Sequence, residues 1–210
     1  MAGTYRFSFG PWNIHEGADP FGPAVRNTIK FADKLELYKK LGFDGVQFHD
    51  DDAVPDLKIL DDKGLFAEFV APRLWEDERT IDGGYTSNDP KCRAYAIDRS
   101  KRSIDIANAL GIDLLVLWLA REGTYIREAK DSRQATERII DAINQMLEYD
   151  LKVRVCIEPK PNEPMDHTYI PTTGHAIGLA QMCSDPKRVG VNIESAHAIL
   201  AGLDPSDEMG

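Results

Sequence analysis

L-K-V-R-V-C-I-E-P-K-P-N-E-P, Leu151 to Pro164, is the stretch on which the fold turns. An apolar run ends at Ile157. It gives way at once to two carboxylates, an ammonium and an amide bracketed by three prolines. A short apolar run with this abrupt end reads as a buried strand. Proline fixes φ and limits flexing, so the charges that follow are held at set separations. Ligands of parallel α/β folds bind at the carboxyl ends of strands. If this run is such a strand, the other apolar runs should end in polar groups too.

They do. Candidate strands at Tyr5–Phe9, Gly45–Phe48, Leu65–Val70, Leu114–Trp118, Val153–Ile157 and Val189–Ile193 alternate with helix-length segments at roughly 26–41, 89–110, 132–149, 173–183 and 195–202. In the third of these segments Ile139, Ile143 and Met146 share one face of a 3.6-residue period. L-G-F-D at Leu41–Asp44 and L-G-I-D at Leu110–Asp113 each close a helix just before a strand, with glycine supplying the left-handed turn. The alternation predicts βαβ units and a parallel sheet. The strand ends lead into G-P-W-N with Trp12, H-D-D-D from His49 to Asp52, A-P-R-L-W ending at Trp75, W-L-A-R-E-G from Trp118, E-P-K-P-N-E-P, and N-I-E-S-A-H with Glu194 and His197.

The 210 residues carry a formal charge of −10, which argues against a phosphate-backbone partner. Three scattered cysteines show no metal spacing and suit a reducing compartment, so a cytoplasmic protein is expected. No signal-peptide pattern is present, and no apolar run reaches the roughly 20 residues of a membrane span. With no low-complexity linker, 1–210 reads as one domain. Six βα units fall short of a closed (β/α)₈ barrel, which takes about 250 residues. The expectation is either an open sheet or, favoured by the site residues, an incomplete TIM barrel.

Taken singly, each polar group has an ordinary reading. H-D-D-D would cap a helix, Trp75 and Trp118 would be core, and Arg121–Glu122 a structural ion pair. Glu194 and His197 would be a surface pair, and His15, His167 and His175 loop or helix-end histidines. Their coincidence at successive strand ends points to one cavity. There Glu158 and Glu194 would converge on a hard divalent cation. His197, three residues on, would bracket a second. Two metals clamp neighbouring substrate oxygens. Lys160 would polarise a carbonyl, and His49 with Asp52 forms an acid–base pair.

F-H-D-D-D at 48–52, R-E-G at 121–123, E-P-K-P-N-E-P at 158–164 and N-I-E-S-A-H at 192–197, with D-P-F-G at Asp19–Gly22 and D-G-G-Y-T at Asp82–Thr86, together resemble D-xylose isomerase over essentially the whole chain. The resemblance implies a (β/α)₈ barrel with two divalent metal ions, Mg²⁺, Mn²⁺ or Co²⁺. The implied activity is aldose–ketose isomerisation, D-xylose to D-xylulose and D-glucose to D-fructose, by ring opening and a 1,2-hydride shift. On that resemblance His49 assists ring opening, oriented by Asp52. Glu158 ligates the first metal, Glu194 bridges, His197 ligates the second, and Lys160 holds the oxygen at C1. Trp12, Trp75 and Trp118 wall the pocket, and Phe21 enters a neighbouring subunit's site, implying a homotetramer or dimer.

Three departures bear on the sugar. W-L-A-R-E-G replaces W-G-G-R-E-G and puts bulk beside the pocket, Trp75 replaces a Phe, and A-P-R-L-W replaces a T-T-N-L-F type segment. The family's remaining aspartate ligands come from units seven and eight, so 1–210 is expected to be unstable or inactive alone. The alternatives are an isomerase for another aldose, a metal-dependent apurinic endonuclease, and a non-catalytic sugar-binding relative. The endonuclease would want more histidines and a basic groove.

Overall fold

The computed structural model describes residues 5–17, 23–52 and 57–209. Six strands form one parallel sheet: β1 (Ser8–Phe9), β2 (Gly45–His49), β3 (Phe66–Ala71), β4 (Leu114–Trp118), β6 (Arg154–Glu158) and β8 (Val189–Val191), adjacent in chain order. Two further strands of two residues each, β5 (Gly123–Thr124) and β7 (His167–Thr168), pair antiparallel outside it. The helices are α1 (Phe31–Leu41), α2 (Leu57–Asp61), α3 (Pro90–Ala109), α4 (Ser132–Tyr149), α5 (Thr173–Met182), α6 (Ser195–Leu200) and α7 (Pro205–Glu208). These are the expected βα units of an incomplete barrel. Sequential parallel order follows when each strand returns through a helix packed on the same face.

Period-2 alternation divides each strand between two environments. Leu115, Leu117, Val155 and Ile157 face the helices and pack with Ile104 of α3, Ile139, Ile143 and Met146 of α4, and Leu179 of α5. Val46, Phe48 and Val70 do the same with Leu35 and Tyr38 of α1. The opposite face carries a small cluster of Phe69, Ala71 and Val116, with Trp12, Leu114 and Cys156 against it. His49, Trp118 and Glu158 are the last residues of their strands, so the ladder itself places them.

Gly42 and Gly111 close α1 and α3 at φ 84° and 71°, the left-handed turns that the L-G-F-D and L-G-I-D pair predicts. Elsewhere the boundaries move. The first strand shrinks to Ser8–Phe9, and Tyr5 and Phe7 are exposed, because this edge strand pairs on one side only. The first helix begins at Phe31 instead of 26. Lys30, extended at ψ 144°, precedes it with no side-chain cap, and β-branched Thr28 and Ile29 resist the helical backbone.

A loop brace lies outside the strand pattern. Glu122, 3% exposed, is no simple ion-pair residue. Its Oε1 accepts from the amides of Gly84 and Tyr85 at 2.9 and 3.1 Å. Its Oε2 accepts from the amide and hydroxyl of Thr86 at 2.9 and 2.7 Å. One residue on, β5 meets β7 so closely that a Cβ on Gly123 would lie 2.5 Å from the His167 carbonyl oxygen. Gly123→Ala is therefore expected to open this ladder at a cost of about 2 kcal/mol. A thermal melt superimposable on that of the parent would show that the approach tolerates a methyl group.

Candidate functional site

The carboxyl ends of the strands open into a cleft of about 1140 Å³. Trp12, His49, Asp52, Trp75, Trp118, Glu158, Lys160, Glu194 and His197 all line it. Phe21 lies outside the described residues. Arg73, Glu76, Lys34 and His15 also face the cleft, and of these only His15 carried a reading in the sequence, as a loop histidine.

One wall is built on β4, β6 and α6. Trp118 and Glu158 are partners in the β4–β6 register. Burial pushes the Glu158 carboxyl up to about 7, and its Oε2 accepts from Asn192 Nδ2 at 2.8 Å. His197 Nδ1 sits 3.6 Å from Glu158 Oε1, too far for a hydrogen bond, and has no hydrogen-bond partner although it is buried. Its other ring nitrogen is 3.4 Å from Lys160 Nζ. Burial and the Lys160 charge hold this imidazole below its ordinary range. The ring stacks parallel on Trp118, centroids 6.3 Å apart, and Lys160 Nζ lies 5.4 Å from the Trp118 ring. Lys160 is 7% exposed and held from behind. Its amide donates to Ile170 O at 3.1 Å, and Thr168 of β7 donates to Pro161 O at 3.0 Å.

The facing wall is built on β2 and β3. His49 lies between Trp12, centroids 4.2 Å apart, and Trp75, edge-on at 4.9 Å. Trp75 in turn meets Trp118 edge-on at 4.5 Å, so aromatic rings run from one wall to the other. His49 Nδ1 is 3.0 Å from Asp52 Oδ2 and 2.7 Å from Arg73 Nη2, which also donates to Asp52 Oδ1 at 2.9 Å. Burial, with Arg73 beside it, lowers the His49 imidazole against the pull of Asp52. For Asp52 burial works the other way, but the His49 contact and the Arg73 charge outweigh it and hold the carboxyl below its ordinary value.

H-D-D-D is thus an ion-pair turn. Asp50 receives Arg99 through two bonds of 2.6 and 2.9 Å, and Asp51 receives Arg73 at 2.7 Å and Arg99 at 3.3 Å. His49, Asp51 and Asp52 place potential ligand atoms within 4.8 Å of one another, but the two guanidinium groups already balance those carboxylates.

Two residues of the site lay in quoted motifs without a role. Arg73 is the cation of A-P-R-L-W, and the strand-end rule that selected Trp75 applies equally to it. Asn192 opens N-I-E-S-A-H and was hidden because the strand was expected to run to Ile193; β8 ends at Val191. Leu119 and Ala120 of W-L-A-R-E-G, expected to crowd the pocket, are 3% and 0% exposed, and Leu119 packs into the main core. That departure leaves the cleft unchanged, because the chain turns away from the sheet after Trp118.

Two potential ligands for a divalent cation, Glu158 and His197, meet on the first wall. Glu158 Oε1 and His197 Nδ1 face one another 3.6 Å apart, but Glu194 does not close on them as a third ligand: among the described residues the three-ligand cluster within 4.8 Å is that of His49, Asp51 and Asp52. Glu194 lines the same cleft, with one oxygen accepting from Ala196 N at 3.0 Å.

Solved structures with this architecture include D-psicose 3-epimerase with D-tagatose from Clostridium cellulolyticum H10, 13% identical, TM-score 0.69, covering 93% of this chain and 65% of that one. An AP endonuclease of family 2 from Brucella melitensis is 19% identical, TM-score 0.68, covering 91% and 69%. The IOLI protein with a bound zinc atom is 15% identical, TM-score 0.67, covering 95% and 66%. At these identities the likeness is one of fold, and the chain spans 65% of the length of the epimerase. No helix among the described residues is long and apolar enough to cross a membrane. The family model for the xylose isomerase-like TIM barrel matches residues 35–209, and the chain belongs to that family.

Proposed function

We propose that this chain carries the sugar site of a metal-dependent aldose–ketose isomerase, with D-xylose to D-xylulose as the first reaction to test. The observation that carries the reading is the trio on one wall: Glu158 and the orphaned His197 nitrogen 3.6 Å apart, with Lys160 3.4 Å from the other side of the same ring. Glu158, Glu194 and His197 would hold the divalent ion, Mg²⁺, Mn²⁺ or Co²⁺. When bound, it supplies Lewis-acid polarisation of sugar oxygens. Lys160, whose Nζ also lies 3.7 Å from Glu163 Oε2, presents an ammonium to the carbonyl oxygen at C1. The Trp12, Trp75 and Trp118 surfaces exclude water from the sugar's apolar face. His49 addresses the ring oxygen during opening. A second ion, entry of Phe21 into a neighbouring copy, assembly as a dimer or tetramer, a single-domain 1–210 and a cytoplasmic location complete the proposal.

An epimerase is the second reading, favoured by the fold likeness to D-psicose 3-epimerase and by two carboxylates, Glu158 and Glu194, in one cleft. A nucleic-acid substrate is disfavoured by the net charge of −10. In the metal-loaded protein, Lys160→Ala should lower aldose–ketose conversion about 10²–10³-fold and leave Mn²⁺ affinity, measured by titration calorimetry, largely unchanged. Conversion that survives the substitution would remove Lys160 from the mechanism, whereas a parent protein that inverts a ketose stereocentre without forming an aldose would favour the epimerase.

A further inference from the structure

His49 Nδ1 has two neighbours that make opposite demands. Asp52 Oδ2, at 3.0 Å, is an acceptor and asks for a proton on Nδ1. Arg73 Nη2, at 2.7 Å, only donates and asks for a lone pair there. One nitrogen cannot serve both. The Arg73 contact is the shorter. Two N–H groups pointed at each other across 2.7 Å would bring their hydrogens and positive ends together, whereas N–H to lone pair at that distance is a short, charge-assisted hydrogen bond. The same guanidinium nitrogen donates to Asp52 Oδ1 at 2.9 Å, so its charge bridges imidazole and carboxylate and offsets the repulsion between their lone pairs.

Arg73 is itself fixed. Its Nε donates to Asp51 at 2.7 Å, its Nη1 to Glu76 at 3.2 Å, and its amide to Asp50 at 2.8 Å. Arg99 closes the far side of Asp50 and Asp51. The ring between Trp12 and Trp75 has little freedom to turn away.

We propose that Arg73 is a positioning residue that holds neutral His49 in the tautomer with its lone pair on Nδ1 and its proton on Nε2. The proposal deepens the reading of this cleft as a sugar site and assigns His49 a narrower part in it. A neutral imidazole in this form offers the cleft an N–H donor. It is not a base at Nε2, and it does not surrender the Nε2 proton, since that would leave an imidazolate. The atom it receives is an acceptor oxygen, such as the ring oxygen of a cyclic sugar or a carbonyl. The usual carboxylate–histidine pair, with Nδ1–H directed to Asp52, would instead leave Nε2 as the base.

The tautomer is read directly from long-range ¹H–¹⁵N correlation spectra of the labelled chain near neutral pH. The His49 ring is identified among the five histidines by its loss in His49→Gln. In the parent, Nε2 should be the protonated nitrogen and Nδ1 the bare one. Arg73→Gln should move the proton to Nδ1, where Asp52 then accepts it. Asp52→Asn should leave the parent tautomer in place, because Arg73 remains. A parent spectrum with Nδ1 protonated overturns the proposal, and so does an Arg73→Gln spectrum with an unmoved proton. The spectrum reports the ring whether or not any sugar is turned over, so failure here is distinct from failure of the isomerase assignment.

Discussion

Glu122→Gln is expected to destabilise the chain by about 4 kcal/mol, a drop in melting temperature of roughly 10 °C for a domain of this size. The carboxylate spends both oxygens on four donors: three consecutive amides, Gly84 to Thr86, and the Thr86 hydroxyl. A glutamine has one acceptor oxygen. Its NH₂ would face either the Gly84 and Tyr85 amides or the Thr86 amide, donor against donor, with only the Thr86 hydroxyl able to turn and accept, in a site 3% exposed. At 3% exposure bulk solvent does not reach the mismatch, so most of the cost of unpaired buried donors is felt. Glu122→Asp keeps both oxygens but shortens the reach and should fall between the two. A melting temperature within a degree or so of the parent for Glu122→Gln would mean that the 82–86 loop is held by something else.

The second large effect concerns pH. Burial raises the folded Glu158 carboxyl to about 7, against about 4.5 in the open chain. The folded state therefore binds this proton more tightly than the unfolded state. Stability from this group is greatest below about pH 4.5 and declines as pH rises to about 7, then levels off. The decline is about 3 kcal/mol in the metal-free chain. His49 and His197 are both held below the imidazole range, so their contribution runs the other way, present above the unfolded value and lost on acidification. The informative quantity is thus the difference between the parent and Glu158→Gln. Urea titrations at pH 5 and pH 8 should show the variant gaining on the parent by about 2.5 kcal/mol at the higher pH. A constant difference between the two would show that Glu158 ionises freely. Mn²⁺, binding the ionised carboxylate, should stabilise the parent at pH 8 and act weakly at pH 5.

The strands and their order were legible because each is an apolar run ending in polar residues, and that pattern survives without knowledge of any partner strand. Glu158, Lys160, His49, Trp118 and His197 were legible for the same reason, and the structure brings them into one cleft. What escaped depends on pairings distant in sequence. Glu122 gains its meaning from amides 36 to 38 positions away. Gly123 gains it from the carbonyl of His167. Arg73 is one basic residue among many until β2 and β3 set it against His49. Short elements such as β5 and β7, two residues each, carry no periodicity to read. The bulk of Leu119 and Ala120 was visible in the sequence, but the side of the sheet they take was not.

The β5–β7 ladder gives the two walls of the cleft unequal mechanical character. It ties the loop that follows β4 to the loop that follows β6, so Lys160 and Glu158 stand on a frame of main-chain hydrogen bonds, indifferent to ionic strength. The His49 backbone is held in the β2–β3 ladder, but its ring is set by guanidinium–carboxylate contacts, with Asp51 half exposed and open to screening by salt. One jaw is cast in the backbone, and the other is tuned by its counter-ions.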